Sequence, residues 1–170
     1  AATKESGERI GKMGEEDWRI KIVGAPAADT ILKEKLPTRI ELFQFIKLPP
    51  SEQIALITFH SPSEDWRLAG KQMAEILAAL KSLDMNAVVI YPNTDAGSRF
   101  IIQEIEKERH NPKFRIYKNL PHKQFLALER EASVWVGNSS AAMIESSYFG
   151  TPVVNVGNRQ HNRQHGENIV

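Results

Sequence analysis

Residues 134–160 have the sequence VWVGNSSAAMIESSYFGTPVVNVGNRQ, and this stretch decides the fold. A short run rich in β-branched residues stops at Gly137, and N-cap residue types follow at once, which predicts a strand leading directly into a helix. Gly150 ends the predicted helix, and Pro152 prevents its continuation. The next apolar run, residues 153–156, is typical of a second strand. The stretch therefore predicts a βαβ unit with parallel strands and a right-handed crossover.

The start of this helix has the features of an anion site. Backbone N–H groups and the helix dipole favour negative charge where a helix begins at the carboxyl end of a parallel strand. Ser139 and Ser140 add two hydroxyl donors at that point. Arg159 follows the second strand and could close on a phosphate as a bidentate fork. These residue types together predict a phosphate site.

Glu145 extends the predicted site towards a sugar. It shares a helix face with Ala141 and Ala142, whose small side chains would let a flat group approach the carboxylate. A carboxylate only accepts hydrogen bonds and a sugar diol donates two, so the pair is chemically matched. The alternative is that Ser139 is only an N-cap and Glu145 only a solvated helix residue. Because all these features fall around one strand–helix–strand turn, we favour a nucleotide site.

The rest of the chain predicts more units of the same kind. Apolar runs bounded by turn residues alternate with amphipathic segments, a pattern typical of an α/β fold with a Rossmann-like parallel sheet flanked by helices. We expect strands near residues 20–23, 54–59, 86–91, 114–117, 133–136 and 153–156. We expect the other helices over residues 5–13, 27–33, 38–48, 66–83, 100–109 and 122–131.

Polar residues follow two of the predicted strands at their carboxyl ends, where open α/β sheets bind ligands. His60 ends the most apolar strand and is followed by a loop through residue 65, while Asn93 and Asp95 come directly after the next strand. A histidine at a strand end is more often a structural hydrogen-bonding group, and Asn and Asp are common turn formers. These three residues are therefore weaker candidates than the serines.

Composition narrows the possible functions. The chain has 170 residues, enough for about one domain, and its 22 basic and 21 acidic residues nearly balance. That balance gives no electrostatic case for nucleic acid or an anionic membrane as a partner. The absence of cysteine excludes disulfides and thiol catalysis, and no run of residues is apolar enough for a transmembrane helix. No group of residues has the spacing of a metal site.

Several of these motifs together resemble the UDP-N-acetylglucosamine 2-epimerase family. The matching segments are residues 137–140, Glu145, residues 149–155 and residues 157–160, and the likeness continues through Arg163 and upstream over most of the chain. The resemblance is strongest to the hydrolysing branch, which releases UDP and N-acetylmannosamine and serves sialic acid biosynthesis. It is much more specific than a lone glycine-rich loop.

The resemblance implies a domain organisation. Residues 1–36 would be the tail end of an N-terminal Rossmann lobe with the crossover between lobes, so the predicted strand at 20–23 would belong to that lobe. Residues 37–170 would be the UDP-binding C-terminal lobe, incomplete at its C-terminus. The parent would be a two-lobed enzyme of the glycosyltransferase-B type, of which this chain is a fragment.

The resemblance also implies a reaction. A base removes the proton at C2 of UDP-N-acetylglucosamine, UDP leaves from C1, and water adds to the resulting glycal to give N-acetylmannosamine. The acid and base residues would belong to the other lobe, so this fragment is expected to bind UDP without turnover. No cofactor and no metal is implied, and the intact enzyme is expected to be cytoplasmic and homo-oligomeric. The alternatives are a non-hydrolysing epimerase, another glycosyltransferase-B enzyme, or a UDP-binding module without catalysis.

Site residues carried over from the family match the candidates above and add others. His60 would bind phosphate or help the leaving group, and is the catalytic candidate. UDP would be held by His60, Asn93, Leu120, Ser139, Ser140, Glu145 and Arg159, with Leu120 offering its backbone to uracil. Asp95, Gln160 and Arg163 are secondary candidates.

Overall fold

The structure, a computed structural model, describes residues 1–62 and 65–170, so part of the loop predicted after His60 lies outside the described residues. The chain divides into two compact units, residues 1–35 and residues 36–170. This boundary falls one residue before the one expected from the sequence. The assignment of the first unit to a different lobe stays a prediction.

The second unit is built on one sheet of five parallel strands. In chain order they are β1 (Ile54–Thr58), β2 (Asn86–Ile90), β3 (Phe114–Tyr117), β4 (Val134–Gly137) and β5 (Val153–Asn155). Their order across the sheet is β3-β2-β1-β4-β5. The chain therefore winds outward on one side of β1, then crosses back and winds outward on the other side. This confirms the predicted α/β parallel sheet and places a topological switch point between β1 and β4.

Helices connect the strands as predicted, with small shifts at their ends. In the second unit they are α3 (Arg39–Ile46), α4 (Ala69–Ser82), α5 (Ser98–Lys107), α6 (His122–Glu131), α7 (Ser140–Ile144) and α8 (Ser146–Phe149). A single 3-10 turn, Trp66–Leu68, leads into α4. A capping box fixes the start of α3, because Thr38 and Glu41 each bond the other's backbone N–H.

Strand β1 is the centre of the core. All five of its residues are buried, and successive side chains point to opposite faces of the sheet. Ile54 and Leu56 join one apolar cluster, with Trp135 and the inner faces of α3 and α6. Ala55 and Ile57 join the other, with the inner faces of α4 and α5. A strand covered on both faces is mostly apolar, which is why residues 54–57 were recognisable in the sequence. The buried Thr58 hydroxyl at its end accepts a hydrogen bond from Trp135 Nε1 at 2.7 Å.

The first unit has less regular structure than predicted. Its helices, α1 (Lys4–Lys12) and α2 (Ala27–Lys33), lie where expected, and a 3-10 turn spans Asp17–Arg19. The predicted strand at 20–23 is wrong, because this segment is extended but joins no ladder in the described chain. Its bonds go to the chain terminus instead, with the Val23 N–H donating to the Ala1 carbonyl at 3.0 Å. Alternating apolar residues make a strand only where a neighbouring strand pairs with them.

The helix of the opening stretch also differs from the prediction. It begins at the expected N-cap, Ser139, but it is interrupted at Glu145 and resumes as a separate short helix. The Ser146 hydroxyl donates to the Ala142 carbonyl four residues back at 2.6 Å. Such back-bonding bends helices, which gives a physical reason for the break.

Strands β1 and β4 approach so closely that Gly137 has no room for a side chain. Its φ is +146°, and a Cβ built there would lie 2.1 Å from the Thr58 carbonyl oxygen. We expect Gly137→Ala to lower the free energy of unfolding by about 3 kcal/mol or more, since both the clash and the backbone conformation oppose it. Denaturant unfolding of the 170-residue chain, followed by circular dichroism, measures this loss.

Gly150→Ala is the matched control for that experiment. Gly150 also has a positive φ, +69°, but a Cβ added there would meet no atom within 4 Å. We expect a loss of only about 1–2 kcal/mol, the cost of the left-handed backbone alone. Equal losses for the two variants would contradict the close approach of β1 and β4.

Candidate functional site

The candidate site lies at the switch point between β1 and β4. The loop after β1 carries His60, and the loop after β4 carries Asn138 and the two serines. Because the chain leaves these neighbouring strands in opposite directions, a crevice opens between the two loops at the carboxyl edge of the sheet. The topology therefore brings together residues that are 78 positions apart in the sequence.

Asn138 joins the two sides of this crevice, a role that sequence reasoning missed. Its side-chain oxygen accepts from the His60 N–H at 2.7 Å, and its side-chain nitrogen donates to the His60 carbonyl at 2.8 Å. Its own N–H donates to the Thr58 carbonyl at 3.2 Å. The residue is 1 % exposed. From the sequence Asn138 was only an N-cap residue type, and nothing local reveals a partner so distant.

The segment after β5 attaches to the same residue. Gln160 donates from Nε2 to the Asn138 carbonyl at 2.7 Å, and Arg159 donates from Nη1 to it at 3.2 Å. The other end of the Arg159 guanidinium faces Asp95, with Nη2 and Oδ2 3.7 Å apart. The structure thus brings Asp95, Arg159 and Gln160 into one cluster around Asn138.

His60 is held in a single neutral tautomer. The Asn93 N–H donates to His60 Nδ1 at 3.1 Å, so Nδ1 carries no hydrogen and the neutral ring holds its proton on Nε2. Burial, helped by the nearby Arg159 charge, lowers the pKa of His60, and the Asn93 side chain and the Asp95 charge only partly offset this. At neutral pH the ring is therefore a hydrogen-bond donor through Nε2. Asn93 also donates from its side chain to Asp95 at 2.7 Å.

The two serines stand at the start of α7. The Ser139 hydroxyl oxygen accepts from the Ala141 N–H at 3.3 Å, which leaves the hydroxyl hydrogen available for a ligand. Ser140 is partly exposed as the first residue of the helix. Since α7 has only five residues, its dipole is small. Attraction for an anion then depends on the hydroxyls and the Arg159 charge.

Glu145 lies at the junction of α7 and α8 and is half-buried. Burial raises the pKa of its carboxyl group, and His122 at the start of α6 lowers it in part. Among the described residues, no side chain forms a hydrogen bond with this carboxyl group. It is therefore an acceptor with free capacity, as a diol-binding carboxylate has to be.

Glu129 is a second functional candidate that the sequence did not reveal. It lies on α6, is 0 % exposed, and neither of its carboxyl oxygens has a hydrogen-bond partner among the described residues. Burial, with a further contribution from the charge of Glu145, raises the pKa of Glu129 to about 9. The group is therefore a neutral acid at pH 7. A glutamate in an amphipathic helix gives no sequence signal for this, because most such residues face solvent.

Two predicted residues lie outside the cluster. Leu120 sits in the loop before α6 with its side chain partly buried against the core, and its backbone forms no hydrogen bond with another described backbone group. That Leu120 offers this backbone to uracil stays a prediction. Arg163 is exposed, and its side chain forms no hydrogen bond or ion pair with any residue in the described ranges.

Within residues 1–62 and 65–170, no group of three or more His, Cys, Asp or Glu residues is placed to hold a metal ion. No helix in the same ranges has the length and apolar character needed to cross a membrane.

The sequence model of the UDP-N-acetylglucosamine 2-epimerase family matches residues 1–170. This chain belongs to that family. A UDP-N-acetylglucosamine 2-epimerase from Neisseria meningitidis is 33 % identical over 99 % of the chain, and a hydrolysing UDP-N,N'-diacetylbacillosamine 2-epimerase from Legionella pneumophila is 31 % identical over 99 %. The chain covers 44 % and 45 % of these two relatives, less than half of each.

Solved structures of the family share the fold. The chain aligns over 92 % of its length with Neisseria meningitidis UDP-GlcNAc 2-epimerase bound to UDP-GlcNAc, with a TM-score of 0.69 and 16 % identity. It covers 43 % of that chain. The enzyme from Methanocaldococcus jannaschii, in complex with UDP-GlcNAc and UDP, gives a TM-score of 0.66 at 18 % identity over 92 % of this chain and 44 % of its own. At these identities the likeness shows the fold alone.

The two hydrogen bonds between the Asn138 side chain and the His60 backbone hold the site together most directly. Asn138→Ala removes two hydrogen bonds and leaves buried polar groups of His60 unpaired, so we expect the free energy of unfolding to fall by about 2–4 kcal/mol. Asn119→Ala, the same change in an exposed loop, is the control and is expected to alter stability by less than about 0.5 kcal/mol. Denaturant titration compares them, and indistinguishable stabilities would show that the bridge contributes nothing.

The protonation of His60 is also open to test. Long-range ¹H–¹⁵N NMR should show the ring neutral at pH 7 with its hydrogen on Nε2, and titrating below the ordinary range. Arg159→Gln removes a nearby positive charge, so the pKa of His60 should rise towards its usual value. Arg163→Gln, a change in an exposed arginine outside the cluster, should leave the His60 titration unaltered. A proton on Nδ1 at neutral pH would contradict the Asn93 contact.

Proposed function

We propose that this chain is the UDP-binding lobe of a hydrolysing UDP-N-acetylglucosamine 2-epimerase. The observation that carries the proposal is the switch-point crevice of a chain of this family, where Asn138 holds His60 and Arg159 together next to the two serines. Glu145, whose carboxyl group has no hydrogen-bond partner among the described residues, follows at the end of α7. A nucleoside diphosphate needs donors for its phosphates and acceptors for its ribose. The crevice supplies both.

The diphosphate would lie across the mouth of α7. Ser139 and Ser140 donate from their hydroxyls, Arg159 supplies positive charge, and His60 donates from Nε2. Elimination of UDP from C1 develops negative charge on the departing phosphate, so donors already fixed in place stabilise that step. On this account His60 stabilises the leaving group as a neutral donor. Asp95 and Gln160 act indirectly, because each orients part of the Asn138–Arg159 arrangement.

The nucleoside would extend from the phosphates towards α6. Glu145 accepts from the two ribose hydroxyls, and the Leu120 backbone pairs with uracil. Asn93 is exposed and bonded to His60 through its N–H, and it would contact the diphosphate or the sugar. Arg163 would contribute only at the periphery.

The complete reaction requires residues beyond these. A base removes the C2 proton, UDP leaves, and water adds across the glycal, so that UDP-N-acetylglucosamine and water give N-acetylmannosamine and UDP. Because the chain spans less than half of its relatives, we expect the acid and base on the part that it does not include. The 170-residue chain should accordingly bind UDP and show no turnover.

The hydrolysing subtype is supported by two relatives whose names carry that term, from Legionella pneumophila and Campylobacter jejuni. The non-hydrolysing alternative is kept because the Neisseria meningitidis relative is named only as a UDP-N-acetylglucosamine 2-epimerase. Product analysis of a longer protein that contains this chain separates the two. Free N-acetylmannosamine supports the hydrolysing reaction, whereas UDP-N-acetylmannosamine overturns it. UDP-N,N'-diacetylbacillosamine should be assayed in parallel, since both of the hydrolysing relatives are named for that sugar.

Arg159 provides a test of the phosphate contact on the 170-residue chain. Arg159→Gln should weaken UDP binding about 10-fold or more, because a charged hydrogen bond to phosphate is lost, and should leave the much weaker binding of uridine unchanged. Isothermal titration calorimetry measures both ligands. Arg109→Gln, in an exposed pair with Glu106 at the end of α5, is the control and should bind like the wild type. An equal effect on UDP and uridine would show that Arg159 does not contact phosphate.

A further inference from the structure

The structure contains one carboxylic acid that nothing so far explains. Glu129 is completely buried, and both of its carboxyl oxygens lack partners among the described residues. An unpaired buried polar group destabilises the folded protein, and a leucine of similar size would avoid that cost. Its backbone carbonyl accepts a hydrogen bond from the Thr151 hydroxyl at 2.6 Å, whereas its side chain accepts and donates none within the described ranges. A polar side chain that is kept here although it lowers the stability of the fold points to a role in the site.

Helix α6 places Glu129 beside the proposed ribose carboxylate. His122 and Glu129 are seven residues apart and therefore share one face of the helix, about 10 Å from each other along its axis. Both residues interact electrostatically with Glu145. His122 lowers the pKa of Glu145, and the charge of Glu145 raises the pKa of Glu129. Helix α6 also packs against α8, which begins directly after Glu145. Thr151, which follows α8, bonds the Glu129 backbone carbonyl through its hydroxyl at 2.6 Å. These contacts place Glu145 next to α6 on the side of Glu129.

The remaining charged groups at this end of α6 are engaged elsewhere. Arg130 bonds Glu131 at 2.8 Å and the Pro37 carbonyl at 2.6 Å. Glu131 also pairs with Arg39 at 3.1 Å. Among the described residues, Glu145 is the charged group that acts on Glu129. The two glutamates therefore form a pair, one buried and neutral, the other at the crevice.

We propose that Glu129 is a positioning residue for ribose recognition, its protonated carboxyl group donating a hydrogen bond to Glu145 when Glu145 turns to accept the ribose hydroxyls. This role rests on the proposed function. A carboxylate has about four acceptor positions and a diol uses two, so about two remain, and Glu129 needs one of them. A bond from a neutral acid to a carboxylate is charge-assisted and strong. It fixes the orientation of Glu145 without any transfer of the proton and without movement of the backbone.

Substitution of Glu129 separates this role from a structural one. Glu129→Leu should fold and resist denaturant better than the wild type, because the unpaired polar group is gone. Its affinity for UDP should nevertheless fall about 10-fold, while its affinity for 2'-deoxy-UDP changes little, because only the orientation of Glu145 towards the diol is lost. Glu129→Gln keeps a donor at the same place and should bind UDP within about 3-fold of the wild type. Calorimetry on the 170-residue chain measures these affinities, and Glu75→Leu on the exposed face of α4 is the control.

The stability profile gives a readout independent of any ligand. With a folded pKa of about 9 and an unfolded value of 4.5, Glu129 holds its proton in the folded state while the unfolded chain has released it. The part of the folding stability that depends on this proton is therefore fully present below pH 4.5 and is lost as the pH rises towards 9. The stability advantage of Glu129→Leu should widen between pH 5 and pH 9. A constant advantage would show that Glu129 is ionised in the folded protein, which overturns the proposal.

The binding outcomes distinguish the two proposals. If Glu145→Gln loses the preference for UDP over 2'-deoxy-UDP while Glu129→Leu keeps it, the ribose site stands and the positioning role is wrong. Equal losses of UDP and 2'-deoxy-UDP affinity in Glu129→Leu also overturn the positioning role. If the wild-type chain does not bind UDP at all, the proposed function fails, and the role of Glu129 fails with it.

Discussion

The site depends on the paired hydrogen bonds between the Asn138 side chain and the backbone of His60. A primary amide has a donor and an acceptor side by side, and here both are used on one residue's backbone across the crevice. The bridge is possible because Gly137 lets β4 approach β1 within van der Waals contact. The Asn138 carbonyl then receives Arg159 and Gln160. One residue therefore ties together the loops after β1, β4 and β5.

This arrangement explains how the crevice can favour an anion without a long helix behind it. The guanidinium of Arg159 is held between a backbone carbonyl and Asp95, close to a histidine that stays neutral. Keeping the ring neutral leaves a directed Nε2–H donor and avoids repulsion between two cations. Asp95 is the acidic group paired with Arg159, whereas Glu145 and Glu129 lie on the α6 side. On the proposed function, the phosphates and the ribose would be bound at different parts of the crevice, and the buried acid would be retained at a cost in stability.

The sequence allowed the sheet to be predicted because its signals are local. A strand buried on both faces is apolar along most of its length, as residues 54–57 are, and Gly137, Gly150 and Pro152 mark the ends of elements around α7 and α8. The interruption at Glu145 was missed because it depends on a side-chain bond made by Ser146. The prediction of a strand at 20–23 was wrong because alternating apolar residues show only that one side of the segment is apolar. They do not show whether another strand is present to pair with it.

The site was only partly predictable for a related reason. Residues at the carboxyl ends of strands can be identified as candidates from topology alone, which is how His60, Asn93 and the serines were found. Their actual contacts join positions as far apart as His60 and Asn138, and no local pattern encodes a bond across 78 residues. The burial of a single helix residue such as Glu129 cannot be predicted from the sequence either, since it depends on which other elements pack against that helix.

A structure of the 170-residue chain determined with UDP tests the central claim most directly. The account predicts the diphosphate between the loops after β1 and β4, within hydrogen-bonding distance of the Ser139 hydroxyl, His60 Nε2 and the Arg159 guanidinium, with the ribose hydroxyls on Glu145. A diphosphate bound at any other edge of the sheet, or a Glu145 carboxyl group turned away from the ribose, would contradict it.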